Sequence, residues 1–249
     1  MLSRRTFVLD FAAAMVGIPG YAVAQKLGRE NIAQLQYPPP FPSQNLPHQE
    51  RRKPSAAEIL FARAIVSRTP YGPRPIDIAQ SFVDRFSRAN PAAISQPSPP
   101  AAPNPLISEF IKPAGRFSGQ DDIIPWCAAF VNFCIERNGG AGSNSAWSQS
   151  FLAPPFEKVT QPEEGDLAVF TCYSPSSDAD MGLGHVAFFR RISENGQIVV
   201  VGGNQSNGRH TSIISEKVLE TGNQPVKRHL PNGQYVTAVM RLNAFVRPG

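Results

Sequence analysis

From residue 125 onward the chain changes period once, from helix to strand. Residues 125–138 carry a helix pattern closed by Gly139-Gly140, with Pro125 placed for a first turn and the glycines for just past the last. Five β-rich runs follow, at 166–171, 185–192, 197–201, 211–218 and 235–242. One helix followed by a meander of short strands predicts an α+β domain with a largely antiparallel sheet.

Ahead of this lies a more broken stretch. Residues 1–24 place Arg4-Arg5 before an apolar run and end on Ala22-Val23-Ala24. That order of charged, apolar and small is the order of an export signal, here of twin-arginine type, and implies a periplasmic or cell-surface destination. The apolar run is too short to span a bilayer and holds Asp10 and Pro19, so no membrane insertion is expected once the signal is cleaved. Residues 25–54 contain six prolines and read as a linker or extended arm. The remainder, 55–249, reads as one domain. Residues 55–67 and 76–89 have apolar residues at helical spacing, the first opening on Ser55 and the second carrying Ile78, Phe82 and Phe86 on one stripe. Residues 91–113 hold seven prolines and read as a loop, either an insertion or part of a substrate groove. The net charge of +5 has none of the dense Lys/Arg clustering of a nucleic-acid binder, so no nucleic-acid partner is expected.

Cys127 is the first candidate for chemistry. Near a helix start, its sulfur faces N–H groups that lack intrahelical partners and the positive end of the helix dipole. Both favour a thiolate, and the same N–H groups can hold a developing oxyanion. The competing reading is a buried structural cysteine. Three cysteines are an odd number; Cys134 and Cys172 can pair and leave Cys127 free, although the count does not demand it. His185 opens an apolar strand after Met181-Gly182-Leu183-Gly184, which is an unusual core position unless its ring nitrogens are engaged.

Turn residues 193–196 between two apolar runs predict a hairpin. A four-residue loop sets His185 opposite Asn204 and Ala187 opposite Gly202. A two-residue Asn195-Gly196 loop sets His185 opposite Ser206, with Asn204 as diagonal neighbour. Either register lays an amide beside the imidazole. Cys127, His185 and Asn204 can then act as nucleophile, base and orienter. Gln205 is a weaker orienter, since it faces the other way unless a bulge intervenes. Trp126, Gly203 and Gln205 are candidate substrate contacts, and packing is the competing role of the Trp126 ring. No His-Glu-x-x-His and no Cys/His pair at finger spacing occurs, so neither a metal nor another cofactor is expected.

Four motifs in order carry a resemblance: Pro125-Trp126-Cys127-Ala128-Ala129-Phe130-Val131-Asn132, Gly165-Asp166-Leu167-Ala168-Val169-Phe170, Gly184-His185-Val186-Ala187-Phe188-Phe189, and Gly202-Gly203-Asn204-Gln205-Ser206. Together they resemble the NlpC/P60 and CHAP superfamily, and in particular a CHAP-like branch with tryptophan-cysteine and glycine-glycine-asparagine-glutamine motifs. The resemblance spans 55–245 and is strongest over 122–206. It implies a papain-like fold, in which N-terminal helices precede a nucleophile helix packed on an antiparallel sheet bearing the histidine. It also implies peptidoglycan as partner and cleavage of amide bonds in its peptides, by an endopeptidase or an N-acetylmuramoyl-L-alanine amidase. The stretch 91–113 departs from the family pattern and bears on the groove. A wall-binding module without turnover and a papain-like acyltransferase are the alternatives from other classes.

Overall fold

A computed structural model describes residues 53–97, 102–111, 125–207, 211–229 and 234–249. The export signal and all of the arm but Lys53 and Pro54 lie outside the described residues. Among the described residues, four α-helices precede or flank an antiparallel sheet: α1 (Ala56–Ser67), α2 (Pro75–Phe86), α3 (Pro105–Ile111) and α4 (Cys127–Arg137). No helix among the described residues is long and apolar enough to cross a membrane.

Local chemistry sets the helix limits. Ser55 and Glu58 cap α1 reciprocally: the Ser55 Oγ accepts from the Glu58 N–H at 3.2 Å, and the Glu58 carboxylate accepts from the Ser55 N–H at 2.7 Å. Pro75 occupies the first turn of α2, where its missing N–H costs nothing. The proline-rich stretch corrects the loop reading. Pro105 starts α3, whose Leu106, Ile107, Phe110 and Ile111 are all buried in the core. Asn104 caps this helix with its side-chain oxygen on the Leu106 N–H at 2.9 Å, and its amide ties back to the carbonyls of Ala93 and Ser95.

The strands are β1 (Ser95–Pro97), β2 (Glu157–Val159), β3 (Leu167–Tyr173), β4 (Asp180–Ile192), β5 (Ile198–Ser206), β6 (Thr211–Leu219), β7 (Gln224–His229) and β8 (Tyr235–Arg247). They form one sheet in the order β1-β6-β5-β4-β3-β8-β2, with β7 also paired to β8. All pairings are antiparallel. Alternation divides the buried side chains between two faces. Leu167, Val169, Val186, Phe188, Val201 and Ile214 join the helices in one cluster. There Phe82, Phe110 and Phe130 meet edge to face, with ring centroids 5.3–5.6 Å apart. Ala168, Phe170, Cys172, Ala187, Val200, Ala238 and Met240 form a second cluster on the other face, to which no helix among the described residues contributes. These residues are buried nonetheless, because the sheet curls over them.

This sheet bears on the possible Cys134–Cys172 pair. All three cysteines are free. Cys134 belongs to the helix-face cluster and Cys172 to the cluster on the opposite face, so the sheet itself lies between them.

Candidate active site

Cys127 is the first residue of α4, and Trp126, its N-cap, makes no side-chain hydrogen bond to the helix start. The first-turn N–H groups are therefore left to the sulfur and its surroundings. Cys127 is 1% exposed, and burial pushes its thiol above the ordinary range. Working against burial are the backbone N–H of Val186, the positive Arg228 guanidinium, and the N–H groups of Ala128 and Cys127 itself. The N-terminus of α4 thus lies against β4 at the residue next to His185.

The β4/β5 ladder explains why that backbone N–H is free. At the turn the pairing is Ile192 with Ile198, one residue longer than the predicted loop. A bulge at Arg190 restores the predicted register for Phe188 with Val201, and there the ladder ends. Gly202 stands over Ala187 as that register requires; a Cβ on it would lie 2.7 Å from the Ala187 Cβ. A second bulge follows between Gly202 and Gln205, where Asn204 takes a left-handed φ of 56°. Beyond Phe188 and Val201 the strands part, and α4 enters at the seam.

His185 pairs with Phe170 and shares its side of the sheet, with ring centroids 6.4 Å apart. That is the curled face, opposite the one that packs on the helices. The imidazole is buried, and its pKa is lowered to about 3, first by burial and then by the positive charges of Arg228 and Lys217. It is therefore neutral across the physiological range, with a nitrogen lone pair to accept a proton. Asn204 is half-buried on its bulge. Among the described residues no hydrogen bond joins Cys127, His185 and Asn204 to one another.

Trp126 corrects the expectation of a substrate platform. It is 1% exposed, its indole N–H donates to the Ser212 Oγ at 3.0 Å, and its ring lies edge-on to Phe130. Gly203 receives that ring: a Cβ there would lie 2.3 Å from Trp126 Cζ3. The two residues expected at the substrate instead pack on each other and fix the start of α4. Gln205 is buried; its amide donates to the carbonyls of Ser215 at 2.9 Å and Gly202 at 3.3 Å, while its Oε1 is without a partner.

Two polar groups escaped sequence reasoning. Gln149 sits in a 3-10 turn (Ser148–Leu152) over the Gly184–Thr171 pair. It donates to the Phe170 carbonyl at 2.8 Å and accepts from Thr171 Oγ1 at 2.6 Å. A Cβ on Gly184 would come within 2.1 Å of the Gln149 Nε2, which explains the glycine before His185. Arg228, on β7, acts electrostatically on both Cys127 and His185. The only sequence signal for it was an Arg in a short polar run. Asp166 accepts from the Glu163 N–H at 2.8 Å and also holds Arg247 through two contacts of 3.1 and 3.2 Å. Among the described residues no three His, Cys, Asp or Glu side chains gather as metal ligands would.

A cysteine at a helix start, laid against an antiparallel sheet that bears a buried histidine, defines the papain-like class. Residues 119–204 match the family model of the CHAP domain, which is consistent with the NlpC/P60–CHAP superfamily. That stretch runs from before α4 to Asn204. No curated protein and no solved structure matches the chain.

Proposed function

We propose that this protein is an exported cysteine hydrolase that cleaves amide bonds in the peptides of peptidoglycan, with Cys127 as nucleophile, His185 as base and Asn204 as orienter. CHAP domains are typically hydrolases of peptidoglycan, and the match over 119–204 supports that substrate class here. One observation carries the chemistry: the Cys127 sulfur lies at the start of α4 among backbone N–H groups, one of them from Val186, the residue after His185 on β4.

The resting pair is a thiol and a neutral imidazole. His185 takes the thiol proton as sulfur attacks the amide carbonyl, and first-turn N–H groups receive the oxyanion. The proton then passes to the leaving amine, whose C–N bond breaks to give a thioester. Water attacks the thioester, His185 takes its proton, and the thiol is restored as the acid departs. Export to the periplasm or cell surface, guided by the signal at 1–24, puts the enzyme where its substrate is.

The test is digestion of purified cell walls by wild type and by Cys127→Ala. Wild type should release new amino groups, and the variant should be slower by at least about a thousandfold. Equal release by both proteins would overturn the reading. Fragment masses then separate an endopeptidase from an N-acetylmuramoyl-L-alanine amidase.

A further inference from the structure

The curled face of the sheet carries two cations that no fold requirement explains. On β7, alternation places Arg228 on the same side as Val226 and its partner Ala238, which pack with the second cluster. On β6, Lys217 pairs with Val200 and shares that side. His185 lies on it too, through its pairing with Phe170. Arg228 reaches Cys172 on β3, two residues from the Phe170 that pairs with His185, and it acts electrostatically on Lys217 as well as on Cys127 and His185.

The partners of these cations are poor. Arg228 Nε donates to Cys172 Sγ at 3.3 Å, and its Nη2 donates to Met240 Sδ at 2.7 Å. Both sulfurs are weak acceptors. Lys217 Nζ donates to the Ser206 carbonyl at 3.1 Å. Among the described residues no carboxylate forms an ion pair with either. Glu216, the nearest acid in sequence, is engaged by Arg190 and Arg191. Both cations are half-buried, and among the described residues neither meets a counter-ion.

We propose that Arg228 and Lys217 together receive a free carboxylate of the substrate beside Cys127 and His185. The assignment rests on the hydrolase reading, and it narrows the substrate to a peptide with an ionised carboxylate close to the scissile amide. A guanidinium offers the fork that a carboxylate accepts, and an ammonium adds a second charge. Occupancy does more than hold the peptide. A carboxylate there offsets the two charges that disfavour protonated His185, so the base strengthens when the right substrate is seated.

The experiment uses a soluble stem tetrapeptide in two forms, one with free carboxylates and one with every carboxylate amidated. Binding to Cys127→Ser is measured by calorimetry, and amine release is measured with wild type. The acid form should bind roughly ten- to a hundredfold more tightly than the amide, as charge-assisted hydrogen bonds allow. Arg228→Gln and Lys217→Gln, each added to Cys127→Ser, should erase that preference, while Arg228→Lys should keep part of it. Thermal unfolding of each variant separates loss of the fold from loss of the contact. Equal binding of the two forms, binding of neither, or a preference that survives in folded Arg228→Gln and Lys217→Gln overturns the assignment. Amine release from both forms without preference removes this site alone. Preference without amine release removes the hydrolase reading and leaves the carboxylate site in place.

Discussion

The two faces of the sheet are built from different materials. The helix face is closed by large rings, with Phe82, Phe110 and Phe130 in mutual edge contact over Val186 and Phe188. The curled face mixes rings, Phe170 and Phe189, with small or sulfur-bearing side chains, Ala168, Ala187, Ala238, Cys172 and Met240. Small residues let the sheet bend tightly, and sulfur gives the tip of Arg228 only weak acceptors. The first face therefore holds the fold, and the second holds charge in reserve. Cys127 belongs to the first by packing, yet it responds to Arg228 on the second.

That contrast can be broken most sharply on the helix face. Phe82→Ala removes a ring in contact with Phe110, Phe130 and Phe133, and should lower stability by about 3–5 kcal/mol in urea unfolding. A smaller loss would mean that the aromatic cluster is not the main anchor. The seam between the faces comes next. Gly203→Ala places a methyl against the Trp126 ring and should cost about 1–3 kcal/mol, with a matching shift of the unfolding midpoint. No shift would show that the ring has room to move.

The curled face should show itself through pH. The folded His185 pKa, about 3, lies below the ordinary value of 6.5. As pH falls through 6.5 the unfolded chain takes the proton first, so stability is full above that pH and is lost as pH falls toward 3. The slope should approach about 1.4 kcal/mol per pH unit. Denaturant midpoints between pH 6 and pH 5, above most carboxylate titrations, should decline in wild type and stay flat in His185→Gln. Parallel declines in both would mean that His185 is not held neutral by the fold.

Much of this architecture was legible in the chain. The cap at Ser55, the period of α4 and the runs of β3 to β6 follow from local propensity and alternation. Helix α3 was hidden because Pro105 looks like one proline among seven, although a proline at a helix start signals entry rather than disruption. Strand β7 was hidden because Gln224-Pro225-Val226-Lys227-Arg228-His229 is polar and contains a proline, which suits only an edge. The hairpin register near Ala187 was readable, but only because the Arg190 bulge offset the longer turn. The face of His185 was not readable. Period-two alternation fixes which residues share a side, and the side on which the helix start arrives depends on where β4 and β5 separate.

That separation has a consequence for how such sites change over generations. The group of β4 that reaches the Cys127 sulfur is the main-chain N–H of Val186, exposed where the ladder stops. Every amino acid but proline supplies the same N–H. A donor of this kind is spelled by no codon, so position 186 is free to drift with the packing while the contact it makes is inherited unchanged.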